Sequence, residues 1–75
     1  MNKKLVKIGV IAPTKKHFDN WVRDNYGFDE EYIYIRKEED VAGHILSGVC
    51  YAGEVYKINN FTKLDLFAQS RIRED

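Results

Sequence analysis

Seventy-five residues with twelve basic and twelve acidic side chains carry no formal net charge, which removes the strongly basic balance expected of most small nucleic-acid-binding domains. At 44% hydrophobic and 13% aromatic, the chain reads as one globular domain over residues 1–75 rather than a disordered segment. A chain this short buries only roughly 60% of the surface its unfolded form exposes, so a deep substrate cavity would consume core it cannot spare.

Leu5, Val6, Ile8, Val10 and Ile11 form a nearly continuous apolar run, interrupted by Lys7 and Gly9, as in a central strand covered on both faces. Pro13 ends it, and Thr14 is placed to cap a helix whose apolar positions Phe18, Trp21 and Val22 recur at spacings of three and four. That helix should stop near Asn25 to Gly27. In Tyr32-Ile33-Tyr34-Ile35 the alternation predicts a second strand, with the isoleucines on one face and the tyrosines on the other. Glu38, Glu39 and Asp40 place negative charge at the start of a short helix, with Val41 and Ile45 on its inner face and Gly43 weakening it. Ser47-Gly48 closes it before a third β-prone segment, Val49-Cys50-Tyr51-Ala52. Asn59 or Asn60 then caps a helix in which Phe61, Leu64, Phe67 and Ala68 share a stripe, running to Arg71, with Arg71 and Arg73 suiting its C-terminal end.

The order βαβαβα follows. Right-handed crossovers give an α/β fold with a three-stranded parallel sheet in the order 2-1-3 and helices on both faces. The competing reading is an α+β fold with a hairpin at 49–58, pairing Val49-Tyr51 with Val55-Ile58. Ordered structure is expected throughout except at the first and last three residues. With Cys50 the only cysteine, no internal disulfide can form. No apolar run approaches the ~20 residues that span a bilayer, and Lys3, Lys4 and Lys7 are not followed by the apolar core of a secretory signal. Cytoplasmic residence without membrane attachment is the expectation.

In open parallel sheets ligands gather where strands end and helices begin, which draws attention to Thr14, Lys15, Lys16 and His17. Two lysines in a first helical turn oppose the helix dipole, and a bound phosphate or a partner's carboxylate would repair that conflict; the plainer account leaves both in water. A phosphate-gripping loop is not evident, because Ala12, Pro13 and Thr14 stand where it would need glycines. Cys50 with His44 or His17 could form a nucleophile and base, yet Cys50 lies in an apolar strand where cysteine behaves as a small hydrophobe. The histidines and acids lack metal-ligand spacing, and no metal or cofactor is expected. Tyr26, Phe28, Tyr32, Tyr34, Tyr51 and Tyr56 exceed what a small core accommodates, which makes Tyr32 and Tyr34 alternative interface anchors. The surrounding acids Asp29, Glu30, Glu31, Glu38 and Glu39 would repel a phosphate backbone.

Three segments, Ile11-Ala12-Pro13-Thr14 leading into Phe18-Asp19-Asn20-Trp21-Val22, Asp40-Val41-Ala42-Gly43, and Ser47-Gly48-Val49-Cys50-Tyr51-Ala52-Gly53, give a chain that resembles small bacteriophage-encoded α/β proteins of unknown activity. These look like a truncated P-loop or Rossmann-type half-domain. The resemblance implies a phage or mobile-element origin and, for a phage-encoded chain, residence in the host cytoplasm. Larger hydrolases of that kind hold a glycine-rich loop at the first junction and an acid at the end of the third strand, and both are missing here. The expected function is that of a small noncatalytic accessory protein that binds and modulates another macromolecule, foremost a host protein. Inhibition of a nucleic-acid-handling factor is one form this could take. The alternative is a nucleotide- or phosphate-binding domain using Thr14 to His17. Either sheet edge could also pair with a second copy of the chain.

Overall fold

The computed structural model describes residues 6–27 and 29–72. Leu5, Phe28, Arg73 and the expectations made for the two termini lie outside the described residues. The elements run β1 (Val6–Ile11), α1 (Lys15–Asn25), β2 (Glu30–Ile35), a 3₁₀ turn (Glu38–Asp40), β3 (Gly48–Tyr51), a second 3₁₀ turn (Val55–Lys57) and α2 (Phe61–Gln69). The sheet is parallel with the order β2-β1-β3, as the crossover rule requires. Among the described residues no helix is long and apolar enough to cross a membrane.

β1 pairs along its whole length with β2, from Val6 opposite Glu30 to Ile11 opposite Ile35, and its second half pairs with β3, from Ile8 opposite Gly48 to Ile11 opposite Tyr51. The two-residue period then divides its side chains between two cores. Val10 joins Ala12, Phe18 and Ala52 under α1, with Ile8, Trp21, Tyr32, Tyr34 and Cys50 packed around them. Ile11 joins Ile35, Val41, Leu46, Ile58, Leu64 and Ala68 under α2, with Ile33 and Val49 beside them. Helices therefore cover both faces.

The second crossover departs from expectation. Instead of a helix, one 3₁₀ turn is followed by irregular chain in which Gly43 adopts φ 85°, a left-handed conformation that ends helical propagation. Val41 is fully buried as expected, but Ile45 is 59% exposed and Leu46 takes the inward position at 1%. The face that a third helix would have covered belongs to α2. The hairpin reading of 49–58 is also replaced: Gly53, at φ 75°, turns the chain, and Val55–Lys57 coil back through bonds from Lys57 N–H to the Glu54 carbonyl (3.0 Å) and Ile58 N–H to the Val55 carbonyl (2.9 Å). A buried Ile58 pins this return to the α2 core.

α2 begins at Asn60, whose left-handed backbone (φ 59°) is tolerated by asparagine and whose side chain makes no capping bond. The helix stops at Gln69, two residues before the predicted end. Arg71 instead ties the tail to the irregular crossover: its carbonyl accepts from Leu46 N–H (2.9 Å) and its Nε donates to the His44 carbonyl (3.2 Å).

Gly9 is the tightest point of the sheet. A Cβ there would lie 2.6 Å from Ile35 Cδ1 and 2.8 Å from Leu46 Cδ1, both in side chains locked inside the α2 core. Gly9→Ala should therefore destabilise the protein by about 1–3 kcal/mol through overpacking, measured by urea denaturation. Leu46→Val in the same chain should recover part of the loss, so that the two changes are not additive.

Candidate functional site

The loops at the C-terminal ends of the strands meet around Pro13. Ala12, directly after β1, is fully buried, its N–H donating to the Ile35 carbonyl (3.1 Å), while Ala52 N–H donates to the Ile11 carbonyl (2.9 Å). These bonds carry the sheet's ladder one residue beyond the strands and hold the three outgoing loops together. Beside Pro13 lies a cleft of about 360 Å³ lined by Pro13, Arg36, Lys37, Lys57, Ile58 and Asn59. It sits where open parallel sheets place their ligands, and its lining holds three cations and no carboxylate.

Each wall has a local cause. Arg36 and Lys37 leave β2 directly, and the Asp40 carboxylate accepts from both backbone N–H groups, at 3.0 and 3.1 Å. Asp40 thus fixes the loop that carries the two cations. Among the described residues no carboxylate pairs with the Arg36 guanidinium, and Lys37 lies only 4.0 Å from Glu39 at the surface. Lys57 arrives from the returning 3₁₀ turn and binds Glu54 Oε2 at 2.7 Å, an oxygen that also accepts from the Tyr56 hydroxyl at 2.9 Å. Those two bonds, Lys57 first, hold the Glu54 carboxyl below its ordinary range.

The residues picked from sequence are distributed differently. Thr14 is the N-cap of α1, its Oγ1 accepting from His17 N–H (3.3 Å) and lying 2.7 Å from His17 Nδ1. Lys15 is paired with Asp19 one turn along (2.9 Å) and lies 5.6 Å from the centre of the Phe18 ring, so its conflict with the dipole is answered within the helix. Lys16 is exposed and has no ion-pair partner among the described residues. His17 packs its ring against Gly53, where a Cβ would lie 2.4 Å from His17 Cδ2, which bolts the start of α1 to the end of β3. Thr14, Lys15 and His17 are each engaged by their own surroundings, and Lys16 is the member left free for an external anion.

Tyr32 and Tyr34 form the floor beneath α1. Tyr34 packs on Phe18 (ring centres 5.3 Å apart) and Tyr32 meets the Trp21 edge (5.6 Å). The Tyr32 hydroxyl accepts from Gly27 N–H (3.0 Å) and has two acceptors within reach of its own proton, the Asn25 carbonyl (2.9 Å) and the Glu30 carboxylate. It clamps the end of α1, and both rings are half-buried. The more exposed tyrosines are Tyr26, Tyr51 and Tyr56.

Cys50 is half-buried against the α1 core, and burial, then the Glu30 charge, push its thiol up, which lowers its thiolate fraction at neutral pH. Neither histidine is seen to activate it: His17 is held by Thr14 and Gly53, and His44 lies in the second crossover. Among the described residues no three His, Cys, Asp or Glu side chains gather as a metal site.

Arg36, Lys37, Lys57 and Asn59 were not picked from sequence. The signal was partial: the strand-end rule applies to β2 as much as to β1, and Arg36-Lys37 follow β2 immediately. Lys57 and Asn59 join them only because the segment after Gly53 folds back, a tertiary event. Comparison with protein-family models, with curated proteins and with solved structures returned no match.

Two predictions concern these side chains. Gly53→Ala should cost about 1–2 kcal/mol for its left-handed backbone plus the displacement of His17, whereas Gly43→Ala, at φ 85° with open space, carries only the backbone cost. Denaturation of both variants, and of Gly53→Ala in a His17→Ala background where the extra loss should vanish, tests the contact. The Tyr32 and Tyr51 phenols are both pushed up, Tyr32 chiefly by its bond to Glu30 and Tyr51 chiefly by its bond to Asp65 (2.6 Å). A folded-state value above the unfolded one of about 10 means that their contribution to stability is present below pH ~10 and is lost as pH rises through the raised values. Ultraviolet titration should show phenolate forming late for two tyrosines, and Tyr32→Phe with Tyr51→Phe should remove that late fraction. Complete ionisation of the wild type near the ordinary value would contradict both bonds.

Proposed function

We propose that this chain is a noncatalytic accessory protein of the cytoplasm that binds and modulates another protein through the loop edge at the C-terminal ends of β1 and β2. The observation that carries this reading is the cleft bounded by Arg36, Lys37 and Lys57 with no lining carboxylate. Arg36 has no carboxylate partner among the described residues, and the exposed pairs Lys37–Glu39 and Lys57–Glu54 can exchange with a partner's acidic groups. On the resemblance to bacteriophage proteins, the partner is a protein of the bacterial host, and Lys16, at the start of α1 on the same edge, extends the contact. Nucleic acid is a poorer fit, because the chain as a whole carries no net positive charge.

The same three cations support a second reading, binding of a phosphate-bearing metabolite or nucleotide, with Arg36 and Lys57 serving where Thr14 to His17 were first expected to serve. Two charge-reversal variants separate the readings. Tagged protein carrying Arg36→Glu with Lys37→Glu should lose the proteins that the wild type captures from bacterial lysate, whereas Lys15→Glu with Lys16→Glu should weaken capture less. Identical capture by wild type and the Arg36/Lys37 variant overturns the proposed edge. Titration with ATP or inorganic phosphate should leave amide resonances at 36–37 and 57–59 largely unmoved if the partner is a protein, and shift them if the second reading holds.

A further inference from the structure

Next to the cationic cleft runs an open groove of about 660 Å³ lined by Tyr56, Ile58, Asn60, Phe61, Thr62, Lys63 and Leu66. Ile58, a buried side chain, lines both depressions, so the two adjoin. Two lining residues stand out against the amphipathic pattern. Leu66 is 66% exposed on the solvent side of α2, opposite the buried Leu64 and Ala68, and Tyr56 is 72% exposed although its hydroxyl is engaged by Glu54. Large apolar side chains this exposed and gathered on one groove mark contact surfaces more often than scattered ones do.

Resting on the protein-binding reading above, we propose that cleft and groove together hold one extended segment of the partner that carries adjacent carboxylates beside a large apolar side chain. The carboxylates lie between Arg36, Lys37 and Lys57, and the apolar side chain lies between Tyr56 and Leu66. Charge complementarity selects the acidic end: Arg36 has no carboxylate partner among the described residues, Lys37 has only the exposed Glu39 at 4.0 Å, and Glu54 already shows the arrangement Lys57 accepts, a carboxylate oxygen taking one bond from the ammonium and one from the Tyr56 hydroxyl. The groove selects the other end. Its single cation, Lys63, is too little to track a phosphate backbone, whereas Tyr56, Phe61 and Leu66 supply apolar area. Glu54 competes with the incoming carboxylate for Lys57, so its removal strengthens binding.

The test uses a synthetic capped peptide with two adjacent glutamates, one serine, then leucine and tryptophan, added to the full chain and followed by amide shifts and fluorescence anisotropy. Resonances of Arg36, Lys37 and Lys57 should move together with those of Tyr56 and Leu66. Replacing both glutamates by glutamine, or leucine and tryptophan by alanine, should each weaken binding about tenfold or more, which is about 1.4 kcal/mol. Leu66→Ser, a change at an exposed position, should weaken the parent peptide without moving the denaturation midpoint, and Glu54→Gln should tighten it about two- to fivefold. Equal binding of the parent and the alanine peptide removes the groove from the inference while leaving the cationic contact intact. Inorganic phosphate competing as well as the peptide shows a small-anion site, and an unmoved spectrum overturns the segment itself; lysate capture by the unmodified chain then still reports separately on protein binding.

Discussion

The second half of β1 is bonded on both sides and buried on both faces, and each helix packs its core over one face of it. The requirement is steric as much as it is one of hydrogen bonding. On the α2 face the sheet admits Ile35 and Leu46 over the centre of β1 because position 9 has no side chain, while Ile11 two residues on fills the same face completely. A short chain has few side chains with which to build two cores, and it divides them through a single strand: Val10 on one side, Ile11 on the other. Shifting that strand by one residue would exchange the two sets and leave both helices without a floor.

The parts of the fold carried by local pattern are readable in the chain. The apolar run of β1, the Thr14 cap, the alternation of β2 and the Leu64/Ala68 stripe of α2 each follow from nearest-neighbour periodicity, and each element stands where that periodicity puts it. What escaped was set by competition between distant segments. Val41 and Ile45 have helical spacing, but α2 already occupies the face they would cover, and Gly43 lets the chain turn so that Leu46 enters in place of Ile45. Likewise Val55 to Ile58 has β-prone composition, yet burial of Ile58 against α2 outweighs a two-stranded pairing at the sheet's edge. Arg71, read as a helix C-terminal cation, is used instead to close the irregular crossover through His44 and Leu46.

The site divides along the same line. Thr14 to His17 are conspicuous because they are contiguous and break a local rule, and the structure answers most of that anomaly locally, through Asp19 for Lys15, the N-cap for Thr14 and Gly53 for His17. Tyr32 and Tyr34, conspicuous as surplus aromatics, have much of their area covered by Phe18 and Trp21. The cationic cleft has no contiguous signature, because its members come from three loops and converge only after the strands are laid in parallel.

Parallel pairing also changes the meaning of the chain's uneven charge. Read linearly, lysines crowd the beginning and acids the middle. In space, Asp29, Glu30 and Glu31 lie where β2 enters the sheet, whereas Arg36 and Lys37 lie where it leaves, beside the positive end of the α1 dipole and Lys57. The acids that share the exit side are partly consumed: Asp40 is turned onto the backbone of Arg36 and Lys37, and Glu54 is held by Lys57 and Tyr56. β2 thus runs from an acidic entry to an exit where Arg36 and Lys37 stand next to Glu38 and Glu39. A protein with no net charge brings Arg36, Lys37 and Lys57 together where the strands leave the sheet, on loops that can be contacted without opening either core.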